Sequence, residues 1–162
     1  MMTSKKIKKL NDLIKIVKKL KRNNKKIVTT NGCFDILHIG HIKSFEMAKK
    51  LGDILIVAIN TDRSVKKNKG EKRPINSEKI RAEQVAALEN VDYVVIFDED
   101  DPCKLLEKIK PEIHVKGKDR EMSQIIEKDI VEKNGGKVVL LPLYKGFSTT
   151  AMINKILSVY NE

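Results

Sequence analysis

Apolar positions recur every three or four residues over 4–22, where Ile7, Leu10, Leu13, Ile14, Val17 and Leu20 make one stripe among lysines. That spacing predicts an amphipathic helix, ended by Asn23-Asn24. A short β-rich run at 27–30 follows and breaks at Asn31-Gly32. Helical spacing resumes with Ile42, Phe45, Ala48 and Leu51, and Gly52 is placed to stop it. Ile54 to Ile59 is an unbroken apolar run, the pattern of a strand buried on both faces. Residues 63–76 carry no period and read as a charged loop. Ser77 is placed to cap a helix over 78–89, with Ile80, Val85 and Leu88 inward. A third strand is predicted from Tyr93 to Phe97. The acidic turn 98–101 leads to a short helix, capped by Asp101, opened by Pro102 and stopped before Pro111. A fourth strand covers 113–115. A helix over 122–133 ends at Asn134-Gly135-Gly136, and Val138 to Leu143 is the fifth strand. Ser148 caps a last helix with Ile153, Ile156 and Leu157 inward.

Strands alternating with helices predict an α/β fold, a parallel sheet with right-handed crossovers. At 162 residues the chain fits one domain. Residues 1–24 are expected to form a helix packed on that domain, and 25–162 the domain itself. A basic leading helix suits a membrane surface as well as docking, but its narrow stripe without aromatics favours docking. No apolar run approaches the ~20 residues of a membrane span. The N-terminus also lacks the apolar core of a secretory signal, so a cytoplasmic protein is expected. Cys33 and Cys103 do not make a disulfide framework. A net charge of +11 fits either nucleic acid or an anionic small substrate. Aromatic residues make up only 4% and Trp is absent, so stacking platforms for bases are scarce and the small substrate is favoured.

The candidate chemistry gathers after the first strand, at Asn31-Gly32-Cys33-Phe34-Asp35 and His38-Ile39-Gly40-His41. Both histidines fall at a helix start near the carboxyl end of a strand, where open α/β sheets bind ligands. Free N–H groups and the positive dipole end suit phosphate there, and imidazoles add donors. A metal site would need a third ligand, and none lies close in sequence. Lysines on the Gly-containing stretch 63–76 follow a central strand and suit a triphosphate. Arg81 opposes the dipole of its helix, which points to a task such as holding β- or γ-phosphate; the alternative is a surface arginine paired with Glu78 or Glu83. The four carboxylates of 98–101 do not converge on one point and read as a solvated turn. His114 reads as a strand-face histidine.

The run from Gly32 to Asp35 with His38-Ile39-Gly40-His41 resembles the signature of the HxGH-type nucleotidyltransferase superfamily, which includes cytidylyltransferases, pantetheine-phosphate adenylyltransferases and class I tRNA synthetases. Further matches lie at Gly52-Asp53, Asn60-Thr61-Asp62, Lys69-Gly70, Arg73-Pro74-Ile75, Arg81-Ala82-Glu83, Val91-Asp92-Tyr93-Val94, Val115-Lys116-Gly117 and Gly146-Phe147-Ser148-Thr149-Thr150. Over 8–157 the pattern is similar to the D-glycero-β-D-manno-heptose 1-phosphate adenylyltransferases. This resemblance implies a Rossmann-like five-stranded parallel sheet in the order 3-2-1-4-5, helices on both faces, and an added N-terminal helix. The histidine end and the 116–119 end would then share one crevice.

The resemblance also implies roles. His38 and His41 would contact the nucleotide phosphates, and Lys69 and Arg81 the leaving group. Asn31, Gly32, Cys33, Phe34, Gly40, Gly117, Asp119, Ser148, Thr149 and Thr150 would hold the nucleotide. Asp35, Asn60, Asp62, Arg73 and Lys116 would hold the acceptor. ATP is the implied co-substrate, with Mg²⁺ held by its phosphates. The acceptor is a heptose 1-phosphate supplied by a separate sugar kinase, the assembly a homodimer, with no nucleic-acid or membrane partner. One departure stands in the acceptor loop. The family often reads Lys-Gly-Gly-Asp-Tyr where this chain has Lys116-Gly117-Lys118-Asp119-Arg120. A glycerol-3-phosphate-type cytidylyltransferase using CTP shares the histidine motif and the Ser-Thr-Thr end and is the alternative. A basic nucleic-acid-binding module is the non-enzymatic one.

Overall fold

The apolar run in the middle of the chain becomes the sheet's most enclosed strand. The computed structural model describes residues 2–118, 121–144 and 146–160. Strand β2 (Ile54–Asn60) lies between β1 (Ile27–Gly32) and β3 (Tyr93–Phe97), and β4 (Ile113–Gly117) joins β1 to the outer β5 (Lys137–Leu141). All pairings are parallel and the order is 3-2-1-4-5, as the resemblance implied. Alternate residues of β2 face opposite layers. Leu55, Val57 and Ile59 pack under α3 (Ile39–Lys49) and α5 (Glu78–Ala86) through Phe45, Ala48, Ala82 and Val85. Ile56 and Ala58 face α2 (Leu10–Arg22) and α6 (Cys103–Ile109) through Leu13, Val17, Leu105 and Ile109. Val131 of α7 (Lys128–Lys133) joins Ile125, Leu106 and Val138 in a third cluster. The chain therefore leaves β1 and β4 toward opposite layers. A crevice opens between their carboxyl ends, which is the topological switch point.

Four elements differ from the sequence reading. The leading helix is two helices, α1 (Met2–Lys6) and α2. Between them Ile7 bridges Val94, and the Lys8 N–H donates to the Val94 carbonyl at 2.9 Å. The edge of β3 offers unpaired backbone groups, and pairing with them outweighs helix continuity. Residues read as a loop form α4 (Asp62–Lys69), capped by Thr61, whose hydroxyl accepts from the Ser64 N–H at 3.2 Å. Its one large apolar residue, Val65, is buried. The helix expected over 122–133 is a 3₁₀ turn (Met122–Gln124) followed by α7, because Ile125 between them turns into the core. The last helix, α8 (Thr149–Tyr160), buries no residue; Ile156 and Leu157 are half exposed rather than inward. Smaller shifts end α5 at Ala86 and β5 at Leu141, and Ser77 holds the cap position of α5 without a side-chain bond. No helix among the described residues is long and apolar enough to cross a membrane.

Candidate active site

The histidine wall is built on the core. After β1 the chain turns at Phe34, whose φ of 47° is left-handed. Its ring lies over Gly32, where a Cβ would come within 2.9 Å of the ring. The same ring meets Phe45 at 5.0 Å and His41 edge-on at 5.2 Å. His38 takes the cap position of α3 but makes no cap bond with its side chain. The rings of His38 and His41 stack with centroids 3.7 Å apart. Gly40 permits that stack, since a Cβ there would sit 3.0 Å from His38 Nδ1. Burial, and then the neighbouring His38, push the His41 pKa down to about 4. Burial also lowers His38. Both are neutral imidazoles at pH 7, and the Nδ1 atom of each is buried without a partner among the described residues.

A cleft of roughly 690 Å³ opens beside this stack. Asn31, Gly32, Cys33, Phe34, Asp35, His38, Gly40 and His41 line one side, with Lys69 and Arg73 at the rim. Lys116 and Gly117 continue the lining beside Asn31, and Leu141 to Tyr144 with Gly146 to Thr150 form the second wall. Most residues singled out in the sequence therefore meet in one place. Asp119 lies outside the described residues. Lys69 is exposed and makes no ion pair among the described residues. The Ser148 hydroxyl accepts from the Ala151 N–H at 3.0 Å, so it caps α8. The sequence reading missed Ser44, which also lines the cleft. It lies three residues after His41, so the two share a helix face, and that spacing was a usable signal. It also missed Pro142, Leu143 and Tyr144.

Arg81, Asn60 and Asp62 do not line the cleft. The Arg81 side chain is fully buried and donates to carbonyls of three segments: Cys33 at 2.6 Å, Asn60 at 2.7 Å and Asn76 at 3.0 Å. It also pairs with Asp62 at 2.8 Å. The partner is thus neither Glu78 nor Glu83. The arginine has a task, as its position implied, but the task is to satisfy buried carbonyls that would otherwise be orphaned. Asn60 donates from its side chain to Ser64 Oγ at 3.0 Å. Asp35 borders the cleft, but its carboxylate is buried and engaged. It accepts from the Ile75 and Asn76 N–H groups and pairs with Arg73 at 2.6 Å. Burial pushes its pKa up, yet those bonds and the guanidinium outweigh burial and hold it below the usual carboxylate range. Asp35 therefore fastens the 73–76 segment to the histidine loop.

Lys116 donates to Asn31 Oδ1 at 2.9 Å and to Glu127 Oε1 at 2.5 Å. Glu127 is a further omission of the sequence reading, since only the fold brings it under Lys116. Burial pushes the Cys33 thiol up, and burial with Asp101 pushes Cys103 up to about 12, so neither is a thiolate at pH 7. His114 is buried on β4, as a strand-face residue, with Nδ1 2.9 Å from Thr29 Oγ1. Burial pushes it down to about 3, and it stays clear of the cleft.

Residues 29–155 match the family model described as cytidylyltransferase-like. Similar curated proteins include the bifunctional protein HldE of Geobacter metallireducens, 50% identical over 157 residues, 97% of this chain and 32% of that one. The bifunctional protein HldE of Campylobacter jejuni subsp. jejuni is 53% identical over 152 residues, 94% of this chain and 32% of that one. The chain thus spans about a third of the length of the curated relatives it matches. Among solved structures, a lipopolysaccharide core biosynthesis protein from Thermoplasma volcanium is 32% identical with a TM-score of 0.63, covering 76% of this chain and 99% of that one. A pantoate–β-alanine ligase from Francisella tularensis, at 18% identity and a TM-score of 0.63, shares the fold over 96% of this chain and 79% of its own.

Proposed function

The chain belongs to the cytidylyltransferase-like family, and from that membership we propose that it transfers AMP from ATP to a sugar 1-phosphate. D-glycero-β-D-manno-heptose 1-phosphate is the acceptor in this reading, and ADP-heptose and pyrophosphate are the products. The observation that carries the proposal is the single cleft in which the neutral His38–His41 stack, Lys69, Lys116 and the Ser148–Thr150 helix start face one another. An acceptor phosphate oxygen attacks the α-phosphorus, the bond from that phosphorus to the bridging oxygen breaks, and pyrophosphate departs with the electron pair. The acceptor phosphate is largely ionised at pH 7, its second pKa being ~6, so no general base is needed. Catalysis is positioning plus neutralisation of charge on the phosphoryl oxygens.

His38 and His41 act as neutral donors to the α-phosphate, with the open N–H groups at the start of α3 behind them. Lys69 meets the leaving pyrophosphate from the rim. Thr149 and Thr150 add hydroxyl and N–H donors at the start of α8. Arg81 acts at one remove by fixing the Cys33, Asn60 and Asn76 carbonyls. Mg²⁺ enters as part of the MgATP substrate, on phosphate oxygens and water. The sugar 1-phosphate is the product of a kinase-class reaction. We take the enzyme to work in the cytoplasm as a homodimer.

The fate of labelled phosphorus tests the reaction type. Label from the α-position of ATP should appear in the sugar nucleotide, and label from the γ-position in pyrophosphate. Transfer of γ-label to the sugar, or release of AMP without acceptor, would contradict the proposal.

A further inference from the structure

Lys116 stands one residue before the end of β4, beside Asn31 one residue before the end of β1, so the two side chains meet at the switch point. Both line the cleft; Glu127 stands behind them and does not. The Lys116 and Glu127 side chains are 15% and 4% exposed. A buried carboxylate is costly unless it is paired, and this one sits 2.5 Å from the ammonium. Glu127 is placed there by its neighbours. Ile125 and Val131, on either side of it, are both in the core cluster under β5. An ammonium has three donors, and Glu127 and Asn31 take two. One donor is left. With a carboxylate against it, Lys116 presents little net charge to the cleft. It suits a hydroxyl better than a phosphate, in contrast to the exposed Lys69 at the rim.

We propose that Glu127 is a positioning residue for the acceptor. It clamps Lys116 so that the remaining N–H donates to a hydroxyl of the acceptor's sugar ring. This rests on the sugar 1-phosphate reading above and adds the residue that sets the geometry of the sugar side. Replacing Glu127 removes a charge-assisted bond from the clamp without touching the phosphate side of the cleft.

Steady-state pyrophosphate release by the full chain tests this in wild type, Glu127→Gln, Lys116→Met and the double variant. Glu127→Gln should raise KM for the sugar 1-phosphate about tenfold or more and leave KM for ATP within about twofold. In the Lys116→Met background the Glu127 change should have no further effect on KM, because Glu127 acts only through Lys116. The double variant removes both charges and should fold as wild type does. It therefore keeps the test open if Glu127→Gln alone fails to fold. Equal rises in both KM values, no rise, or additive effects in the double variant would overturn the proposal. If wild type turns over no sugar 1-phosphate, the functional reading fails separately, and the clamp is then read without substrate. Amine labelling of Lys116 in the native protein should be several-fold slower in wild type than in Glu127→Gln. Equal rates would overturn the clamp.

Discussion

The two walls of the cleft are built differently. The histidine wall is continuous with the core: Phe34 packs on Phe45 and His41, Asp35 is 1% exposed, and Arg81 ties the loop to two other segments. The opposite wall ends in α8, which buries no side chain, and its aromatic pair Tyr144 and Phe147 is half exposed. Groups that meet developing charge must be held before the reaction, since reorganising them during it costs energy. Groups that close around a substrate do better on segments with few buried contacts, which move at low cost. On the proposed reading, the first wall carries the chemistry and the second the capture.

Removing the tie behind the histidine wall should have the largest effect. Arg81→Met leaves three carbonyls and Asp62 without their partner, and should cost about 3–5 kcal/mol in urea unfolding. A loss below ~1 kcal/mol would mean that the wall holds itself. His41→Ala should lower kcat/KM about a thousandfold, equivalent to ~4 kcal/mol. Its melting temperature should fall by only a few degrees, because the ring is an appendage on Phe34 rather than a core member. A comparable loss in both readouts would make His41 structural.

On the opposite wall, Thr149→Ala should raise KM for ATP by about tenfold or less, with kcat nearly unchanged, as expected for a group that binds ground state and transition state alike. A large fall in kcat would break the division between the walls. A pH dependence specific to the buried histidines should accompany these effects. The folded values of about 4 for His41 and about 3 for His114 lie below the ordinary 6.5. Between these limits the unfolded chain binds protons that the folded chain does not, so stability is complete above about pH 6.5 and declines as pH falls toward 4. Thermal melts from pH 7.5 to 5 should show that decline, and His114→Asn should flatten it. An unchanged melting temperature over the range would contradict the neutral imidazoles.

What was legible in the sequence follows the same division. His38 and His41 could be placed because a strand, an Asn-Gly break and a helix start fix their position locally. Gly32 and Gly40 stand in the same motif, and the structure adds why: the rings of Phe34 and His38 occupy the space of a Cβ. The sheet was legible because β2 is apolar throughout. Helix α4 was not, since it offers one large apolar residue in a charged stretch without a period. Arg81 was legible as unusual, but its partners are backbone carbonyls from distant segments, which leave no mark on residue type. Glu127 was invisible for a related reason: its partner lies eleven residues away across a turn. The inward stripe expected of α8 failed because apolar periodicity marks a face without saying what covers it.

The most direct test of the central claim is pyrophosphate release by the purified protein with Mg²⁺. ATP, CTP, GTP and UTP would be crossed with heptose 1-phosphate, hexose 1-phosphates and glycerol 3-phosphate. The account expects turnover with ATP and D-glycero-β-D-manno-heptose 1-phosphate, at a rate at least about a hundredfold above every other pair. Turnover with CTP and glycerol 3-phosphate instead, or silence across the grid, would contradict it.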